Sequence, residues 1–139
     1  MASRVNIDLV FNHLPALAAE LHHQVGQVVR KTAFDIQRDA MGLAAVDTGA
    51  MKNAVYVETS GDSSYGEAAS AAEGMNPEGT VLSEVQSPPD DLTAIVAEAM
   101  SYGAYQEMGT VRMAAHPYMT PAAEANRQPF LSAMSRLLE

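Results

Sequence analysis

Four consecutive residues, Asp47-Thr48-Gly49-Ala50, form the sharpest chemical string in the sequence. An aspartate followed by a hydroxyl residue and glycine suits a tight loop, and two such loops from two chains can set their carboxylates side by side. A pair of that kind shares one proton, because two close like charges cannot both ionise, and it can then activate water for hydrolysis. The same residues have an architectural use, with Asp47 as a helix cap and Gly49 as a turn residue.

Other reactive groupings are sparse. His22 and His23 are adjacent, and neighbours on a helix point about 100° apart, so they cannot chelate one ion as an i, i+4 pair would. His13 and His116 have no Asp, Glu or His at ligand spacing. Cysteine is absent, which removes disulfides, thiolate nucleophiles and zinc fingers together. No Gly-rich phosphate loop, G-x-S-x-G elbow or H-E-x-x-H occurs, so the sequence assigns no metal and no cofactor.

The elements that must position Asp47 follow from periodicity. Val5, Ile7 and Leu9 alternate as in a short strand. Pro15 marks a helix start, since a proline N–H is not missed in the first turn. From there Leu14, Leu17, Leu21, Val25, Val28, Ala33, Ile36 and Ala40 make one apolar stripe over residues 14–42, about 40 Å long. Gly26 interrupts it at a cost of about 1 kcal/mol relative to alanine, which points to close approach of another backbone. Residues 46–50 read as a turn, with Asp47 capping a short helical turn from Ala50 to Asn53.

Beyond that turn, residues 54–59 read as a strand. Residues 60–79, rich in Ser, Gly, Ala and Glu without periodicity, read as a mobile acidic loop. Residues 80–86 read as a strand, and beyond Pro88-Pro89 residues 92–100 suit a partner strand or, equally in composition, a helix. Residues 102–108 suit one or two helical turns, Gly109-Thr110 a tight turn, and 111–115 an extended piece. A last helix is expected over 121–138, broken or kinked at Pro129. The chain is therefore expected to be one α+β domain over residues 1–139, with a long N-terminal and a C-terminal helix on a mostly antiparallel sheet of about four strands.

These elements weigh against a catalytic Asp47. The retroviral aspartic proteases carry D-T-G-A in their catalytic loop, but there an apolar strand leads into the motif, an apolar-apolar-Gly loop follows, and the fold is nearly all β. Here a long helix precedes Asp47 and no such loop follows, so a homodimeric protease using Asp47, Thr48 and Gly49 is the weaker reading.

A second string runs Tyr102-Gly103-Ala104-Tyr105-Gln106-Glu107-Met108-Gly109-Thr110 and continues to Pro117-Tyr118-Met119-Thr120-Pro121-Ala122. Tyr102 and Tyr105, three apart, share one side of a helical turn; Gly109 permits positive φ; Pro117 and Pro121 stiffen the approach to the last helix. This string resembles the Y-A-x-Y-x-E-x-G-T and x-P-F/Y-x-x-P-A pattern of a tailed-bacteriophage family of head-tail connector, or tail completion, proteins. The family's upstream D-T-G-x-L-x-x-S/A is matched by Asp47, Thr48, Gly49, Met51 and Ala54, in the same order and after a long helix. Gly103 departs from the pattern, standing where the family usually has alanine, and the acidic stretch 60–79 is longer than expected.

The resemblance implies a non-enzymatic virion protein of the phage neck, made in the bacterial cytoplasm. It implies a homo-oligomeric, hexameric ring between the DNA-filled head and the tail, in contact with the head connector and the tail terminator or tube proteins. Genomic DNA would pass through without specific recognition. A tail-tube terminator is the neighbouring alternative.

Charge agrees with passage and not with grip. The chain carries 8 Lys and Arg against 17 Asp and Glu. Between Lys52 and Arg112 there is no basic residue, while ten acids fall there: Glu58, Asp62, Glu67, Glu73, Glu78, Glu84, Asp90, Asp91, Glu98 and Glu107. A DNA-gripping surface needs cations to displace phosphate counterions, whereas an acidic channel wall would let the duplex slide; simple solvation of acidic loops is the default reading of such a run and accounts for most of it. No apolar run approaches the roughly 20 residues that span a bilayer, and the N-terminus lacks the pattern of a secretory signal.

Overall fold

The computed structural model describes residues 12–45 and 49–139. The strand expected near residue 7, and Asp47 and Thr48, lie outside them. Helix α1 spans Leu14–Leu43, as its stripe predicts. The Asn12 side chain accepts the Leu14 N–H at 3.1 Å, and Pro15 occupies the first turn. Helix α2, Ala50–Asn53, follows Gly49, whose φ of 80° is left-handed. Strand β1, Val55–Glu58, pairs antiparallel with β2, Ile95–Glu98, in a register that sets Val55 opposite Glu98 and Glu58 opposite Ile95. Between them lies α3, Tyr65–Met75, and after them α4, Gly103–Met108, and α5, Met119–Arg136.

The architecture is α+β, as expected, but with a two-stranded sheet. Residues 80–86 do not form a strand: Val81 makes a single bridge to Met100, and side chains hold the rest. The Tyr65 hydroxyl donates to the Leu82 carbonyl at 2.6 Å, and the Val85 N–H donates to the Tyr56 hydroxyl at 3.2 Å. Those tyrosines satisfy backbone groups that a ladder would otherwise pair.

The stretch expected to be an unstructured loop holds α3 instead. Its buried positions, Ala68 and Ala72, are four apart, and Tyr65 sets its ring edge-on to Tyr56 with centroids 5.2 Å apart. An alanine stripe carries little hydrophobic contrast, yet alanine is the best helix former, which is why periodicity missed it. Of the break or kink expected at Pro129, the break is absent, since α5 runs through it. Pro129 and Ala125 are both exposed, so the Ala125 carbonyl that loses its partner can be hydrated.

Helices α1 and α5 run antiparallel. Ala40 meets Ala122 in one cluster, while Leu21 and Val25 line a groove with Met134 and Leu138 farther along. The alanines let the backbones approach, and Asn126 locks the pair by donating to Asp39 Oδ2 and to the Ala122 carbonyl, both at 2.8 Å. Hydrogen bonds from Asn126 and Arg38 hold the Asp39 carboxyl below its ordinary range. Alternation along the strands puts Val55 with α1 and α5, and Tyr56 with α3. Gly26 finds the close backbone its position implied: an added Cβ would sit 3.2 Å from the Asp91 carbonyl oxygen.

Candidate functional site

The second motif builds one structure, the junction between α4 and α5. Helix α4 stops at Gly109, whose N–H donates to the Tyr105 carbonyl at 2.7 Å and whose φ and ψ of 76° and 175° belong to glycine alone. An added Cβ would lie 2.7 Å from the Ala115 nitrogen and 3.0 Å from the Met113 oxygen. A tight turn follows, closed by Thr110 N–H to the Met113 carbonyl at 2.8 Å, so the expected extended piece is instead a hairpin-like reversal. The His116 N–H then donates to the Gln106 carbonyl at 2.6 Å, and the chain returns alongside α4.

That return brings the start of α5 to the carboxylate of Glu107. Glu107 Oε2 accepts the N–H groups of Tyr118 and Met119 at 2.8 and 3.0 Å, and Oε1 accepts that of Thr120 at 2.8 Å. A helix begins with four backbone donors that have no partner within it. Glu107 takes three of them, and the fourth position is Pro121, which has no N–H to satisfy. Tyr118 itself supplies no side-chain cap, so α5 is capped from α4. Burial would raise the Glu107 carboxyl, but the hydrogen bonds from Thr120, Tyr118 and Met119 outweigh it and hold it down at about 2.

Tyr118 couples this cap to the sheet. Its hydroxyl donates to Glu98 Oε2 at 3.0 Å, and Glu98 Oε1 accepts the Met100 N–H at 3.1 Å. Burial pushes the Glu98 carboxyl up, against those two hydrogen bonds, to about 7. Burial, with Glu98 beside it, raises the Tyr118 hydroxyl as well.

The two motif blocks meet at a pocket of about 430 Å³ whose lining includes Gly49, Met51, Tyr102, Tyr105, Thr110 and Met113. Tyr102 is half-buried and packs against both core clusters, whereas Tyr105 stays 59% exposed. Pro117 and Thr110 are exposed as well. Gly49, Tyr102, Tyr105 and Thr110 thus share a wall, Glu107, Gly109 and Pro121 form the junction, and Pro117 leads into it.

Comparison with protein-family models, curated proteins and solved structures finds no match.

Sequence reasoning assigned Glu58 and Glu98 to the acidic block, but both point inward. Glu58 is buried and accepts the Ser63 hydroxyl; burial, with Glu84 close by, pushes its carboxyl up. The signal was present in the alternation: Tyr56 and Glu58 share one face of β1, and Val96 and Glu98 one face of β2. With Glu107 committed to capping, the outward part of the block reduces to acids such as Asp62, Glu67, Glu73, Glu78, Glu84, Asp90 and Asp91. His22 is also tied down, with Nε2 2.8 Å from Asp91 Oδ1. Among the described residues no three His, Asp or Glu gather as a metal would require, and no helix is long and apolar enough to cross a membrane.

Proposed function

We propose that this chain is a structural subunit of a tailed-phage neck, assembling as a homo-oligomeric ring between head and tail around the path of the DNA. The observation that carries the reading is the use of the motif residues. Both oxygens of Glu107 are committed to the first N–H groups of α5, Gly109 holds a conformation only glycine adopts, and Gly49 meets Tyr102 and Tyr105 across a pocket from a distant part of the sequence. Of the described residues shared with the connector pattern, Glu107, Gly109 and Pro121 fix the α4 to α5 junction and Gly49, Tyr102, Tyr105 and Thr110 line one wall beside it, uses that suit a scaffold for assembly. The acids left on the surface suit a wall past which DNA moves without being held.

The experiment is deletion of the gene from a phage that carries it, read by electron microscopy. Filled heads and finished tails should accumulate separately, and complementation in trans should join them. Normal infectious particles from a clean deletion would overturn the proposal.

A further inference from the structure

Among the described residues two apolar surfaces stay uncovered, far apart on the molecule. One is a knob formed by the end of α4 and the turn after it, where Met108 is 75% and Val111 105% exposed. The knob is stiff, because Gly109, the Thr110 to Met113 bridge and the His116 to Gln106 hydrogen bond fix its backbone. The other is a groove of about 260 Å³ between the early part of α1 and the end of α5, lined by Leu21, Val25, Leu131, Met134 and Leu138 among others. Leu17, itself 64% exposed, extends it along α1.

The knob cannot reach its own groove. Met113 lines a pocket with Ala45, just past the end of α1, while the groove begins at Val25, about 30 Å back along the helix. Charge supports a second copy as occupant. Arg112, at the tip of the knob, makes no ion pair among the described residues. Glu20, which accepts a hydrogen bond from Gln24, precedes the lining residue Leu21 in α1, and Arg136 stands between the lining residues Ser135 and Leu137 in α5.

We propose that the Val111 knob of one copy seats in the groove between α1 and α5 of the next, with Arg112 turned toward Glu20 and away from Arg136. The contact joins two different patches, so it is heterologous and repeats head to tail until it closes as a ring. Uncovered apolar patches of this kind mark interaction surfaces. The inference rests on the ring reading above and names the surfaces that build it.

The chain has no cysteine, so introduced thiols give an unambiguous test. Full-length V111C and L131C proteins, mixed in equal amounts and oxidised, should form disulfide dimers containing one of each, and V111C/L131C should give a ladder ending at the ring size. Separately, R112E should weaken assembly at least tenfold by native mass spectrometry, and E20R should restore it. Disulfide dimers of V111C alone would mean a face-to-face contact and overturn the proposal. A ring that assembles without the mixed cross-link would overturn the docking while leaving the ring reading intact. A chain monomeric at all concentrations, without cross-links, would remove both. Cross-linking gained only after deletion of residues 1–11 would assign the groove to that segment instead.

Discussion

The Cα of Gly103 lies so close beneath Tyr118 that an added Cβ would stand 2.8 Å from the tyrosine hydroxyl and 2.3 Å from Glu98 Cγ. Glycine makes room there for the hydrogen bond from Tyr118 to Glu98, so Gly103 and the half-buried Glu98 belong to one arrangement.

Gly103→Ala should therefore destabilise the protein by about 1–3 kcal/mol, the usual range for overpacking a tight site. Tyr118→Phe in the same chain should recover part of that loss, because it removes one of the two crowded contacts. Urea melts of the single and double variants measure the coupling. Additive costs would show that Gly103 and Tyr118 do not share the site.

Gly109→Val should cost about 1–3 kcal/mol, since a β-branched residue is excluded from its backbone conformation and the new Cβ meets the Ala115 nitrogen at 2.7 Å. Gly42 supplies the contrast. It lies near the end of α1 with nothing within 4 Å of an added Cβ, so Gly42→Ala should be neutral or stabilising by up to about 1 kcal/mol. Equal melting of Gly109→Val and the parent protein would refute the account of the turn.

What the sequence disclosed and what it withheld divide along physical lines. Leucines, valines and prolines gave α1, β1, β2 and the C-terminal helix, because periodic apolar residues and fixed φ angles are local signals. Helix α3 was hidden because Ala68 and Ala72 bury a face with almost no hydrophobic contrast. Leu14 and Leu17, expected in the core stripe, are 71% and 64% exposed, since α1 continues past the end of α5. At the site, the motif picked out Glu107, Gly109 and Pro121, but not that they cap one helix together. That function joins residues 11 to 13 apart and exists only once the chain has reversed at Gly109.

Removing the cap should expose its worth. Glu107→Ala leaves the N–H groups of Tyr118, Met119 and Thr120 without their acceptor, and the loss should be about 2–3 kcal/mol, above that of an ordinary capping residue. Glu107→Gln keeps one acceptor oxygen and should fall between. Hydrogen exchange at Met119 and Thr120 should speed up in both variants while the β1 amides stay protected. Uniform acceleration across the chain would mean that Glu107 supports the whole fold and not the start of α5.

Glu98 and Glu107 should pull stability in opposite directions with pH. The Glu107 carboxyl is lowered from 4.5 to about 2, so its contribution is present above pH 4.5 and disappears as pH falls toward 2. The Glu98 carboxyl is raised from 4.5 to about 7, so its contribution is full below pH 4.5 and is lost as pH rises through 7. Ionisation there places a charge between β2 and α5 with the hydroxyl of Tyr118 and the N–H of Met100 as its hydrogen-bond donors. Between pH 5 and 8 the melting temperature of the protein should therefore decline, and Glu98→Gln, which holds the site neutral, should flatten that decline. The same slope in the parent and in Glu98→Gln would show that Glu98 is not the group that titrates.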